Sequence, residues 1–183
     1  EDGIIAILPV EAPSFMASER MRLGNEISSI LAARFNENYK FVSPNSISRI
    51  IAEHDAETIY NEIQSNNAAM NLYGTGSWDP DLYIRFGNAL EVDYLFFSYI
   101  VFSKSEGIVP FGQSWLPTKN TAVLYLFQLI DCVEGQLLWE SKYSEEESGI
   151  FSQPDEFKIA NKLIKKGLKS FPQPNSKMDV KSY

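Results

Sequence analysis

The stretch from residue 92 to residue 143 constrains this chain more than any other, because it reads as three consecutive β-strands. Its first run, VDYLFFSYIVFSK (92–104), is apolar or aromatic at nearly every position, and the second, TAVLYLFQLID (121–131), is similar. The third, GQLLWESKY (135–143), alternates Leu137, Trp139, Ser141 and Tyr143 against Leu138, Glu140 and Lys142. Runs of Val, Ile, Phe and Tyr without internal Pro or Gly favour strand over helix. Two strands that are apolar on both faces need cover on both. The third keeps one wet face and is expected at a sheet edge.

The residues upstream supply the cover. GIIAILPV (3–10) predicts a short buried strand. In the helix that follows, with Ser18 as its N-cap, Leu23, Ile27, Ile30, Leu31 and Phe35 share one face. Gly24 in that helix is expected to pack closely against the sheet. YKFVS (39–43) predicts a second strand, and Ser43–Pro44 a helix start. A further helical piece holds Ile59 and Ile63, and residues 68–80 are expected to form a loop. Asp79–Pro80 opens another helix, with Leu82, Phe86, Ala89 and Leu90 as its buried stripe. Residues 105–120, with two Pro and two Gly, are expected as a loop between the first two long strands. Gly135 is expected in the left-handed region of a tight turn. SEEESGIFSQ interrupts the pattern, and Ser152 with Asp155 fits a capping box for a last helix.

Helical crossovers allow the first three strands to be parallel, whereas the last three follow one another as an antiparallel meander. The expected architecture is α/β: a mixed five-stranded sheet of order 2-1-3-4-5 with helices on both faces. At 183 residues there is room for one well-buried core, so we expect a single α/β domain over residues 1–171 and a polar tail over 172–183.

The formal net charge of −8 repels phosphate backbones. The Lys-rich last helix, facing an acidic body, reads as a solvated face, so no nucleic-acid partner is expected. A single cysteine, Cys132, excludes an internal disulfide. No apolar run is long enough to span a bilayer, so no transmembrane segment is expected. The sequence begins at Glu1 without a Met or a signal sequence, which we expect of a processed or shortened chain with its address upstream.

Several motifs carry a resemblance to a known family. They are the IIAILPV strand; the helix bearing Leu23, Gly24 and Ile27; YKFVS followed by SPNSISRII; Ala89-Leu90-Glu91-Val92-Asp93-Tyr94-Leu95 leading into the third strand; and the hairpin LFQLIDCVEGQLLWE. Together, over about residues 3–171, they resemble the superfamily of bacterial envelope proteins that includes the N-terminal domain of TolB, the curli-secretion lipoprotein CsgG and the penicillin-binding-protein activator LpoB. The resemblance implies a periplasmic or outer-membrane-anchored domain that binds other envelope proteins, compatible with a lipid anchor upstream, and without enzyme activity or cofactor. Two departures stand out. FFSYIVF lacks the family's glycine after the third-strand core, and residues 105–120 are too short for a pair of membrane-crossing hairpins, which argues against a CsgG-like pore.

No catalytic, cofactor-binding or metal-binding residues emerge from the pattern. The loop after the first strand, VEAPSFMAS, has no glycine to cradle a phosphate. The Gly-Thr-Gly run from Gly74 to Gly76 follows no strand. His54 stands at a helix end as a cap, and Glu145, Glu146 and Glu147 form a run without a partnering histidine. Ser114 lacks a nucleophile elbow, and Cys132 has no nearby base. The alternative is a small-molecule-binding or hydrolytic α/β domain with its site at the switch point between the first and third strands. A deep, polar-lined pocket there favours the alternative; a flat switch point with an exposed aromatic patch favours a protein-binding module. Tyr73, Trp78, Phe111 and Trp115, all expected in loops, are the candidate partner-binding residues.

Overall fold

The computed structural model describes residues 3–12, 15–73, 75–150 and 152–172. The expected polar tail from residue 173 onward and Gly74 of the Gly-Thr-Gly run lie outside the described residues. In chain order the elements are β1 (Gly3–Ile7), α1 (Ala17–Phe35), β2 (Tyr39–Val42), α2 (Pro44–Glu53), α3 (Glu57–Tyr73), α4 (Pro80–Leu90), β3 (Tyr94–Phe111), β4 (Ser114–Asp131), β5 (Gln136–Ile150) and α5 (Glu156–Gly167). The sheet has the expected five-stranded order, β2-β1-β3-β4-β5. β1 pairs in parallel with β2 and β3, and the β3–β4 and β4–β5 pairs are antiparallel.

Each sheet face has its own apolar core. On one, Leu23, Ile27 and Leu31 of α1 and Ile159, Leu163 and Ile164 of α5 meet Ile5, Ile7, Phe96, Phe127 and Leu129. On the other, Ile47 and Ile51 of α2, Ile63 of α3, and Leu82, Tyr83 and Phe86 of α4 meet Ala6, Leu95, Phe97 and Ile130. The run from Leu95 to Ile100 is buried on both faces. Burying a large apolar side chain contributes roughly 1.5–3 kcal/mol, which is why this run fixes where the helices must lie.

Two polar joints set the register. The Asp93 carboxylate accepts from the Ile4 amide at 2.7 Å, and the Asp93 amide donates to the Ile4 carbonyl at 3.0 Å. The Asp93 carbonyl accepts from the Cys132 amide at 2.8 Å, tying the far end of β4 to the same place. In the β4–β5 turn, Asp131 Oδ1 accepts from the amides of Val133 and Glu134 at 2.7 and 3.2 Å. Gly135 closes this turn at φ +64°, and a Cβ there would stand 2.4 Å from the Pro80 carbonyl oxygen.

The structure corrects several local expectations. Residues 105–120 are not a loop. β3 and β4 stay paired residue by residue from Tyr94–Asp131 to Phe111–Ser114, and only Gly112 and Gln113 form the turn, with Gly112 at φ +61°. The prolines that suggest a loop are tolerated for a topological reason. Pro110 lies on β3 far beyond its pairs with β1, and Pro117 lies just past the last β4–β5 pair, Thr118–Ile150. A missing N–H at such positions need not break a ladder bond. The SEEESGI segment likewise does not interrupt the pattern, because β5 continues through it to Ile150. α3 runs on to Tyr73, so the expected 68–80 loop is confined to its second half.

Caps differ too. α1 starts at Ala17 rather than after a Ser18 cap, with the Glu19 carboxylate accepting from the Met16 amide at 3.0 Å. Asp155 itself caps α5, accepting from the amides of Phe157 and Lys158. Gly24 packs against Pro44 at the start of α2, with the Pro44 Cγ 2.9 Å from where a Cβ would sit, and against Val10 in the extended run after β1.

The β4–β5 turn generates a stability prediction. Gly135→Ala combines a left-handed φ with an overlap on the Pro80 backbone, and should lower unfolding free energy by about 1–3 kcal/mol in urea titration.

Candidate functional sites

Two places stand apart from the packed body of the sheet. The first is an arm. β3 and β4 are each 18 residues long, so each spans roughly 60 Å at about 3.3 Å per residue. Cover by α5 ends near the ion pair between Lys104 and Glu156 and the hydrogen bonds of Gln153 to Asn120 and Thr121. Beyond these, strand alternation and the pairings Ile108–Pro117 and Pro110–Trp115 put those four residues on one face of the arm. Trp115 is 66% exposed and Ile108 68%. Val109 and Ile150 are exposed on the other face. An open groove of about 410 Å3, lined by Glu106, Gly107, Ile108, Pro117, Thr118 and Lys119, runs along this segment.

The expected contact residues are not gathered in one patch. Trp115 stands out on the arm. Phe111 is the last residue of β3, paired with Ser114 across the turn, and its side chain lies outside the described atoms. Tyr73 is the last residue of α3 and its side chain is likewise outside the description. Trp78 is half-buried: its indole N–H donates to the Gly135 carbonyl at 2.8 Å and its ring stacks on the buried Tyr83 at 4.4 Å. That side chain braces the β4–β5 turn against α4. Ile108 carries no signal in a segment whose sequence reads as a loop; paired as a strand, it falls on the same side as Trp115.

The second place is the switch point. After β1 the chain stays extended beside β3: Leu8 donates to Phe96, Glu11 to Ser98, and Ile100 back to Glu11, at 2.8–3.0 Å. Glu11 thereby sits against Tyr99. A cleft of about 260 Å3 opens here between the residues following β1, the first turns of α1, Ser48 of α2, and Tyr60 and Gln64 of α3. Glu11 Oε1 accepts from the Tyr60 hydroxyl at 3.2 Å and from Gln64 Nε2. Deeper in, the Tyr83 hydroxyl donates to Asn67 Oδ1 at 2.6 Å, and the buried Tyr99 hydroxyl lies beside the same Asn67 side chain.

Burial raises the Glu11 pKa above its ordinary 4.5, opposed by the Tyr60 hydrogen bond, the Arg20 charge and the Gln64 hydrogen bond. Tyr60, Tyr83 and Tyr99 are pushed up as well, chiefly by burial. Burial also pushes the Cys132 thiol up to about 12, with Asp131 and Asp93 adding to it, so the group is a neutral packing element and not a nucleophile at neutral pH. Among the described residues no group of His, Cys, Asp and Glu is placed to hold a metal ion, and no helix is long and apolar enough to cross a membrane.

No protein-family model matches the sequence, and no curated protein matches it. Solved structures with a similar chain path include lipoprotein GNA1162 from Neisseria meningitidis, 11% identical over 92% of this chain and 96% of that one, with a TM-score of 0.47. The PelC dodecamer from Paraburkholderia phytofirmans is 12% identical over 91% of this chain and 85% of that chain, with a TM-score of 0.44. The LpoB C-terminal domain from Salmonella enterica is 14% identical over 78% and 82%, with a TM-score of 0.33. At TM-scores below 0.5 such likenesses assign neither activity nor partner.

Two stability predictions follow from the geometry. Trp78→Ala should cost about 2–4 kcal/mol, whereas Trp115→Ala should stay within about 0.5 kcal/mol of the parent in the same denaturant titration. Glu11, with its folded pKa raised, holds its proton more tightly folded than unfolded. Its contribution to stability therefore declines as pH rises from 4.5 through the folded value. Glu11→Gln keeps an acceptor for Tyr60 and Gln64, so the variant should be more stable than the parent at pH 7. That advantage should fade in thermal melts taken below pH 4.5.

Proposed function

We propose that this chain is a non-enzymatic binding or assembly module of the bacterial envelope, periplasmic or anchored to the outer membrane, whose partner is another envelope protein held at the tip of the β3–β4 arm. The observation that carries this reading is the exposure of Trp115 and Ile108 together on one face of a hairpin that outruns the core. Large apolar side chains that contribute nothing to their own fold cost solvation free energy in isolation, and a protein surface that covers them recovers it. Tryptophan at the centre of a contact commonly accounts for 2 kcal/mol or more of binding.

The envelope setting rests on the sequence resemblance in the residue 89–95 motif and the residue 126–140 hairpin. Both motifs have a structural job here. Asp93 joins β1, β3 and β4, and Asp131 with Gly135 builds the turn between β4 and β5. They speak to architecture, so the choice of partner falls to the arm, where Trp115 and Ile108 share one face and Phe111, beside the turn at a register position on the opposite face, is a further proposed contact residue.

Capture from a bacterial envelope extract on the immobilised chain tests the reading. Trp115→Ser, Ile108→Ser and Phe111→Ser should each weaken retention of the captured protein, by roughly thirtyfold for Trp115, with the melting temperature nearly unchanged. Identical retention by all three variants would sink the proposal, and so would unfolding of the Trp115 variant.

A further inference from the structure

We infer that the cleft at the switch point between β1 and β3 binds a small zwitterion of the α-amino-acid class, its carboxylate on Arg20 and its ammonium on Glu11. In an open α/β sheet a crevice forms outside the carboxyl ends of two strands whose connections leave to opposite faces. β1 and β3 are such a pair here: α1 leads away on one face, and α2, α3 and α4 arrive on the other. The cleft of about 260 Å3 lies at this point. It holds roughly nine volumes of the ~30 Å3 that a water occupies in the liquid, which suits an amino acid and is too little for a dinucleotide.

The charges in the wall define the ligand. Arg20 and Glu11 both line the cleft, yet they do not form an ion pair with each other. Arg20 Nε is buried without a hydrogen-bond partner, and the guanidinium charge acts on Glu11 across the cleft. A guanidinium in the wall of a cleft is matched in geometry and charge by a ligand carboxylate. Tyr60 and Gln64, one turn apart on α3, both donate to Glu11 Oε1. They hold the carboxylate in place, and Oε2 receives no hydrogen bond among the described residues, leaving it as the acceptor for a ligand N–H. A simple anion would meet the Glu11 carboxylate, and a simple cation would meet Arg20. A molecule with opposite charges a few ångströms apart satisfies both, and Ala17 and Met21 supply apolar wall for its side chain.

The site is independent of the arm. Trp115 pairs with Pro110, whereas Glu11 lies beside Tyr99. At about 3.3 Å per residue the two are roughly 36 Å apart along β3.

Isothermal titration of the full chain with each of the twenty common L-amino acids is the test, repeated for any binder with its decarboxylated amine and its deaminated acid. At least one amino acid should bind saturably in the millimolar range or tighter. Arg20→Met and Glu11→Gln should each weaken it at least tenfold, as should removal of either charged group from the ligand. Trp115→Ser should leave the titration unchanged. Far-UV circular dichroism checks that the variants fold, and Glu11→Gln, which keeps its acceptor for both donors, carries the test if Arg20→Met does not. No binding by any of the twenty, undiminished binding by Glu11→Gln, or equal binding of the amine or the acid alone would overturn the inference.

Discussion

Three strands of this sheet are located by one residue. Asp93 takes the Ile4 amide on its carboxylate, returns its own amide to the Ile4 carbonyl, and accepts the Cys132 amide on its carbonyl. β1, β3 and β4 are thereby held in register where parallel pairing gives way to antiparallel. Everything else is placed relative to that junction. The run from Leu95 to Ile100 follows it and is buried on both sides, so α1 and α5 must lie on one face and α2, α3 and α4 on the other. A slip of one residue at this point would turn each apolar side chain to the opposite core. The carboxylate also supplies the part-buried Ile4 N–H with its acceptor.

Sheet order, strand directions and the distribution of helices were legible because they depend on long apolar runs, and such runs outweigh local exceptions. Strands 95–100 and 123–130 carry that signal unaided. The arm was not legible, because its evidence is local and contradictory: Pro110, Pro117, Gly107 and Gly112 are loop formers when read singly. What makes them strand residues is the absence of a neighbouring strand at those positions, a fact of topology that composition does not encode. The same holds for the end of β5, where Glu145, Glu146 and Glu147 suggest a solvated run. Glu145 and Glu147 instead point toward α5, where both reach Lys162.

The contact residues divide in the same way. Trp78 and Trp115 look alike in sequence, both preceded by Ser and followed two residues on by Pro. One is bound by Gly135 and Tyr83, the other stands in solvent. The cleft was missed because its members, Glu11, Arg20, Tyr60 and Gln64, come from three segments with no motif spacing between them. Only the right-handed crossovers bring them together. A weak hint was present in the topology, since a switch point between the first and third strands marks where a crevice can form. That hint gave the place but no residue of its lining.

The prolines of the arm also bear on how neighbouring molecules can meet it. A strand edge is a row of free donors and acceptors, and a continuous row invites another chain to extend the sheet. Each edge of the arm has one gap in that row, at Pro110 on the β3 side and at Pro117 on the β4 side, because neither residue carries an N–H. A would-be added strand forgoes one ladder bond at whichever edge it meets, about 1 kcal/mol in net terms. Stacking of these molecules edge to edge into a growing ribbon is therefore disfavoured at the most accessible part of the sheet. Docking on the arm is thereby steered toward its side chains.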